Sequence, residues 1–267
     1  MRVVRRTISE MCKCEGIGLH SGTPVTVLLH PSQSGLFFRS GADRWEAIPE
    51  NVTNTTRQTR LGSISTIEHL MSALAGLGIT DLEVEVDGPE MPAMEGCAAP
   101  WLGLLAGKVL DIGESERRDL FSRIWEKQEG CEIALSAGNG HWKYEFVAPV
   151  GRYPGTQSFE FFFSGADYAE AVAPARTTAF DFEVEAARAA GLGRGLDESS
   201  CLVLGAEGPV NSPRFSDEPA RHKLLDLMGD LWLARVPLDA MNGEASRSGH
   251  TAHVAAAAKV LAAVPLR

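Results

Sequence analysis

The chain has 267 residues, of which 44% are hydrophobic, and carries 35 acidic against 25 basic side chains for a net charge of −10. That length fits one large or two moderate cores. The acidity argues against a general nucleic-acid or anionic-membrane surface, and no run of about 18 uncharged apolar residues supplies a spanning helix.

The N-terminal stretch Met1-Arg2-Val3-Val4-Arg5-Arg6-Thr7 has basic residues with no apolar run behind them, so no secretory signal and a cytoplasmic location are expected. Cys12, Cys14, Cys97, Cys131 and Cys201 form no Cys-x-x-Cys pair, and their odd number makes a poor disulfide framework, so free thiols are expected. His20 lies in a glycine-rich turn, Gly16-Ile17-Gly18-Leu19-His20-Ser21-Gly22, whose spacing is too loose to imply phosphate binding.

Strands are expected over 25–29 and 36–38, then a helix of about three turns over 66–77, opened by Ser65 and Thr66 and closed by glycines. Glu68 and His69 fall in its first turn. Glu68 fits a capping box with Ser65, or else a base beside an imidazole that holds a metal. The alternating Leu-Glu-Val-Glu-Val over 82–86 reads as a strand, and 98–106 as a helix. The charged, glycine-containing stretch 111–119 is expected to be a linker.

Beyond it, strands are expected over 132–135, 142–147 and 158–163, and helices over 184–190, 219–233 and 252–261. Strands followed by helices, twice, describe an α+β fold in two similar halves. Domains of 1–113 and 120–267 are expected, the second with a small insert near 181–215.

The helix over 219–233 is the most informative. His222, Asp226 and Asp230 stack on one face at i, i+4 and i+8, while Leu224, Leu225, Leu227, Met228 and Leu231 supply apolar surroundings. The row is either an ion-paired helix face or two ligands for a divalent metal, zinc first, with a third ligand drawn from elsewhere. His69 is that candidate. His250, after Arg247-Ser248-Gly249, is fixed at the start of the last helix; His20, His30, His141 and His253 have no comparable acidic neighbours in the sequence.

Four separated motifs, Gly16 to Gly22, Ser65-Thr66-Ile67-Glu68-His69-Leu70, Arg221-His222-Lys223-Leu224-Leu225-Asp226 and Ser248-Gly249-His250, occur in the order seen in the LpxC family, the zinc-dependent UDP-3-O-acyl-N-acetylglucosamine deacetylases of lipid A synthesis. The segment from Pro89 to Pro100 and Ala175-Arg176-Thr177 add to the resemblance, which spans nearly the whole chain.

The resemblance implies two two-layer α/β-sandwich domains with a zinc cleft between them. It implies Zn2+ held by His69, His222 and Asp226, Glu68 as general base, His250 as general acid oriented by Asp230, and Thr177 as a hydroxyl stabilising the oxyanion. Lys223 and Arg247 are expected at the anionic acylated UDP-amino-sugar, and Thr178 and Phe180 at its acyl chain, whereas Arg176 is expected to pair with an acidic neighbour. A monomer that visits the inner membrane face transiently, with no nucleic-acid partner, is implied as well.

Three departures stand out. Thr178 occupies a position where the family commonly has Phe, Arg247 one where it usually has Lys, and the short stretch 54–62 suggests a trimmed first-domain insert. Phe182, Val184 and several alanines promise a weakly lined or wider acyl passage. A paralogous zinc amidase acting on a different amino sugar, a non-catalytic binding domain, and iron in place of zinc remain as alternatives.

Overall fold

The computed structural model describes residues 2–116, 123–128 and 130–264. The first half runs β1 (Arg2–Ile8), β2 (Cys12–Ile17), β3 (Pro24–Pro31), β4 (Leu36–Ser40), β5 (Asp43–Glu46), β6 (Val52–Asn54), β7 (Arg60–Leu61), α1 (Glu68–Leu77), β8 (Leu82–Asp87), α2 (Ala99–Leu105) and β9 (Val109–Glu116). The second runs β10 (Ile124–Gln128), β11 (Cys131–Ala137), β12 (His141–Val147), β13 (Thr156–Phe162), α3 (Gly165–Ala171), β14 (Thr177–Phe180), α4 (Asp181–Ala189), β15 (Cys201–Leu204), α5 (Glu218–Leu231), β16 (Met241–Ser246) and α6 (His250–Ala263).

Each half builds a five-stranded sheet, ordered β2-β3-β8-β4-β5 in one and β10-β11-β16-β12-β13 in the other. The pairings match strand for strand: β8 is antiparallel to β3 and parallel to β4, as β16 is antiparallel to β11 and parallel to β12. In each half a long helix, α1 or α5, precedes the central strand and a second helix, α2 or α6, follows it. This is the expected α+β architecture of two similar layered halves.

Alternation drives the layering. In β3, Val25, Val27 and Leu29 are buried while their neighbours are not, which places one face on helices and the other toward water. A single hydrophobic cluster joins Leu29, Phe38 and Val84 of the first sheet to Leu135, Trp142 and Tyr144 of the second through the helices. α1 packs on α5, and α5 also packs on α6 and β12.

Two expectations change. Residues 111–116 belong to β9, which pairs antiparallel with β1; alternation was obscured there by charge, and 117–119 lie outside the described residues. Glu68 forms no capping box, because α1 has Ile67 at its N-cap with no side-chain cap bond. Residues 241–246 form a central strand despite Asn and Gly, since the Trp142 ring occupies the space above Gly243, where a Cβ would lie 2.3 Å from it. Among the described residues no helix is long and apolar enough to cross a membrane.

Candidate active site

Where α1 crosses α5, the helices approach so closely that only a glycine fits at 229: a Cβ there would lie 2.2 Å from the carbonyl oxygen of Glu68. This contact carries His69 of α1 to the His222 and Asp226 face of α5. His69 Nε2 lies 3.8 Å and His222 Nε2 3.4 Å from Asp226 Oδ1. One ligand atom from each of the three lies within 4.8 Å of the others, and all three residues are buried.

The donor set fits a divalent ion. Tetrahedral ligands at about 2.0–2.2 Å from zinc stand about 3.3–3.6 Å apart, close to these separations. Asp226 Oδ1 is buried with no hydrogen-bond partner among the described residues, an arrangement that normally costs stability. His222 Nδ1 donates to the Ala175 carbonyl at 3.0 Å, leaving the Nε2 lone pair free, the usual way a ligating imidazole is oriented. Burial, followed by the neighbouring His222, pushes His69 down to about 3, and burial lowers His222 too, so both imidazoles are neutral near neutral pH. For Asp226 burial opposes ionisation, but His222 and Lys223 outweigh it and hold the carboxyl well below the usual range.

Glu68 and His250 face each other beside this cluster, with His250 Nε2 3.9 Å from Glu68 Oε1. The other Glu68 oxygen accepts the Thr59 N–H at 3.0 Å. Burial pushes Glu68 up to about 8 against the pull of His250. Burial alone would lower His250; Asp230, 2.8 Å from its Nδ1, more than offsets this and raises it to about 9. A carboxyl near neutrality and a protonated imidazole thus share one cavity, the pairing that proton transfer in both directions requires.

That cavity, about 510 Å³, is bordered by Thr177, Thr178, Lys223, Arg247, Glu68 and His250, together with His20, Arg57 and the small apolar side chains Ala179 and Ala187. Lys223 does more than face the cavity, since its Nζ donates to Asp226 Oδ2 at 2.7 Å. Phe180 does not border the cavity; its ring stacks on Phe146 and Phe182. Phe182, expected in the passage wall, is 56% exposed beside Arg152. Arg176 is buried and pairs with Glu218 at 2.9 Å.

Several residues escaped the sequence. His253 Nδ1 lies 2.9 Å from Asp230, His30 Nε2 3.0 Å from Glu85, and His141 Nε2 3.7 Å from Glu160, so acidic neighbours arrive across strands and helices. The Glu90 carboxylate accepts the backbone N–H groups of His20 and Ser21 at 2.7 and 2.8 Å and the Thr66 hydroxyl at 2.9 Å, tying the glycine-rich turn to the helix that bears Glu68. Its place in Pro89-Glu90 was visible, but its partners are distant in sequence. The five cysteines are free.

The family described as LpxC, UDP-3-O-acyl N-acetylglycosamine deacetylase, matches residues 5–262. The chain belongs to the LpxC family. It is 35% identical to the UDP-3-O-acyl-N-acetylglucosamine deacetylase of Anaeromyxobacter sp. (strain Fw109-5), over 97% of this chain and 88% of that protein. It is 36% identical to the protein of the same name from Myxococcus xanthus (strain DK1622), over 88% and 79%, and 32% identical to that from Nostoc sp., over 97% and 98%. In this LpxC-family chain β14, paired in parallel with β15, brings Thr177 and Thr178 to the cavity beside His69, His222 and Asp226.

Proposed function

We propose that this protein is a zinc-dependent amide hydrolase that removes the N-acetyl group of UDP-3-O-acyl-N-acetylglucosamine in lipid A biosynthesis, releasing acetate, and that it works in the cytoplasm. The observation that carries the reading is the convergence of His69, His222 and Asp226 from two helices around a buried, unpartnered carboxylate oxygen. The names of the relatives supply the substrate class.

His69, His222 and Asp226 would hold the ion, which when bound would supply Lewis acidity to the acetamide carbonyl and to a water. Glu68 Oε1 takes the proton of the attacking water, its partner oxygen being occupied by the Thr59 N–H. The Thr177 hydroxyl, at the cavity wall, donates to the oxygen on which charge develops. His250 Nε2 then gives its proton to the departing amine while Asp230 holds the other ring nitrogen. Arg247, exposed at the cavity, and Lys223, deeper beside Asp226, offer positive charge to the anionic substrate. Thr178, Ala179 and Ala187 give the acyl chain a shallow wall of small side chains.

The test is acetate release from the 3-O-acylated UDP-sugar and from unacylated UDP-N-acetylglucosamine. Strong preference for the first supports the reading. Equal turnover of both would favour a broader amidase, consistent with Thr178 in place of an aromatic side chain.

A further inference from the structure

Asp230 is held by more donors than the orientation of one imidazole needs. Its Oδ2 accepts Nδ1–H from both His250, at 2.8 Å, and His253, at 2.9 Å, and its Oδ1 accepts the Thr59 hydroxyl at 2.6 Å. The terminal torsion of a carboxylate is broad and roughly two-fold, so a single hydrogen bond leaves it free to turn. Three donors shared over both oxygens fix its plane.

Each partner is itself anchored. His253 follows His250 by one helical turn in α6 and meets it edge-on, with ring centroids 5.8 Å apart. Its Nε2 lies 3.0 Å from the Ser248 hydroxyl, and Tyr144 donates its own proton to the Ser248 carbonyl at 2.6 Å. The Asp230 carboxylate can only accept, so the His253 proton sits on Nδ1; burial lowers the His253 pKa and keeps the ring neutral, so its Nε2 accepts from the Ser248 hydroxyl, which also lies 3.3 Å from the Tyr144 hydroxyl. Thr59 is fixed through its carbonyl, which accepts the Ile67 N–H at 3.2 Å, and through its N–H on Glu68. Thr59 and His253 are both fully buried and neither borders the cavity.

We propose that Thr59 and His253 are positioning residues that clamp the Asp230 carboxylate and through it hold the His250 imidazole with Nε2 aimed into the cavity. Thr59 also couples the two carboxylates, since one residue reaches Glu68 from its backbone and Asp230 from its side chain. The proposal rests on the assignment of His250 as proton donor.

The experiment uses the metal-loaded enzyme, with rates normalised to bound metal. Thr59→Val and His253→Leu remove one donor each at similar volume, and should lower kcat by about 10- to 100-fold, the loss expected from an ångström-scale misplacement, with KM within roughly twofold. Thr59→Ser and His253→Asn, whose Oγ and Nδ2 can occupy the donor positions, should recover most of the rate. Wild-type imidazole nitrogen spectra should place the His253 proton on Nδ1, a readout that stands even if the buried variants fail to fold. Folded, metal-loaded Thr59→Val and His253→Leu with the wild-type kcat, or a His253 proton on Nε2, would overturn the clamp. His250→Ala separates the two ideas: full activity there removes the proton-donor assignment and the clamp together, whereas loss there with unaffected clamp variants removes the clamp alone.

Discussion

Gly229 of α5 rests on the carbonyl of Glu68 in α1, and the 2.2 Å that a Cβ would leave between them makes this contact the gauge of the site. Because the neighbouring atom is backbone, Gly229→Ala must push the helices apart. Overpacking of this kind costs about 1–3 kcal/mol, and His69 moves away from His222 and Asp226. Chemical denaturation and metal analysis should find both lower stability and weaker metal retention; unchanged metal affinity would show that the crossing does not set the ligand spacing.

Glu68→Gln keeps the shape of the side chain and its acceptor for Thr59 but removes the base. The expected result is a kcat lower by roughly 10²- to 10⁴-fold, with metal content and KM little changed. A kcat within a few-fold of wild type would assign the base elsewhere.

The pH profile follows from His250. Its folded value of about 9 means that the protonated imidazole persists at neutral pH, while Glu68, raised to about 8, must be ionised to act as base, so kcat/KM should rise as pH climbs toward about 8 and fall as it passes about 9. Asp230→Asn withdraws the negative charge that raises His250 above its ordinary value, so the alkaline limb should move toward lower pH. An alkaline limb that stays in place in the variant would disconnect it from this pair.

Arg176 and Glu218 form a buried pair, 2.9 Å apart, at the end of the segment whose Ala175 carbonyl holds His222. Arg176→Ala leaves the Glu218 carboxylate buried without its charge partner and should destabilise the protein by about 3–5 kcal/mol. Urea denaturation reads this directly, and a loss below roughly 1 kcal/mol would mean that the remaining N–H donors to Glu218 from Arg176 and Arg214 suffice.

Much of the site was legible because helical periodicity is local. His222, Asp226 and Asp230 read as one face from their spacing, and so did the helix that carries Glu68 and His69. What joins them was not legible, since the crossing depends on Gly229 meeting a backbone oxygen 161 positions away in sequence, between residues 68 and 229. Thr59 and His253 were passed over for the same reason, as their partner Asp230 belongs to another element. Phe180 was misplaced because its ring packs on Phe146 and Phe182, from another strand and the following helix, a contact that spacing along the chain does not reveal. The charged residues 111–116 of β9 fell within the linker expected over 111–119 because their burial is slight, which removes the apolar signal that marks a strand.

The central claim is that His69, His222 and Asp226 hold the ion on which deacetylation depends. Its most direct test is acetate release from the acylated UDP-sugar by enzyme stripped with a chelator and then titrated with zinc, run beside Asp226→Asn. The account predicts no turnover without metal, full recovery near one zinc per chain, and neither tight zinc binding nor recovery in the variant. Turnover by the metal-free enzyme, or tight stoichiometric zinc and full activity in Asp226→Asn, would contradict it.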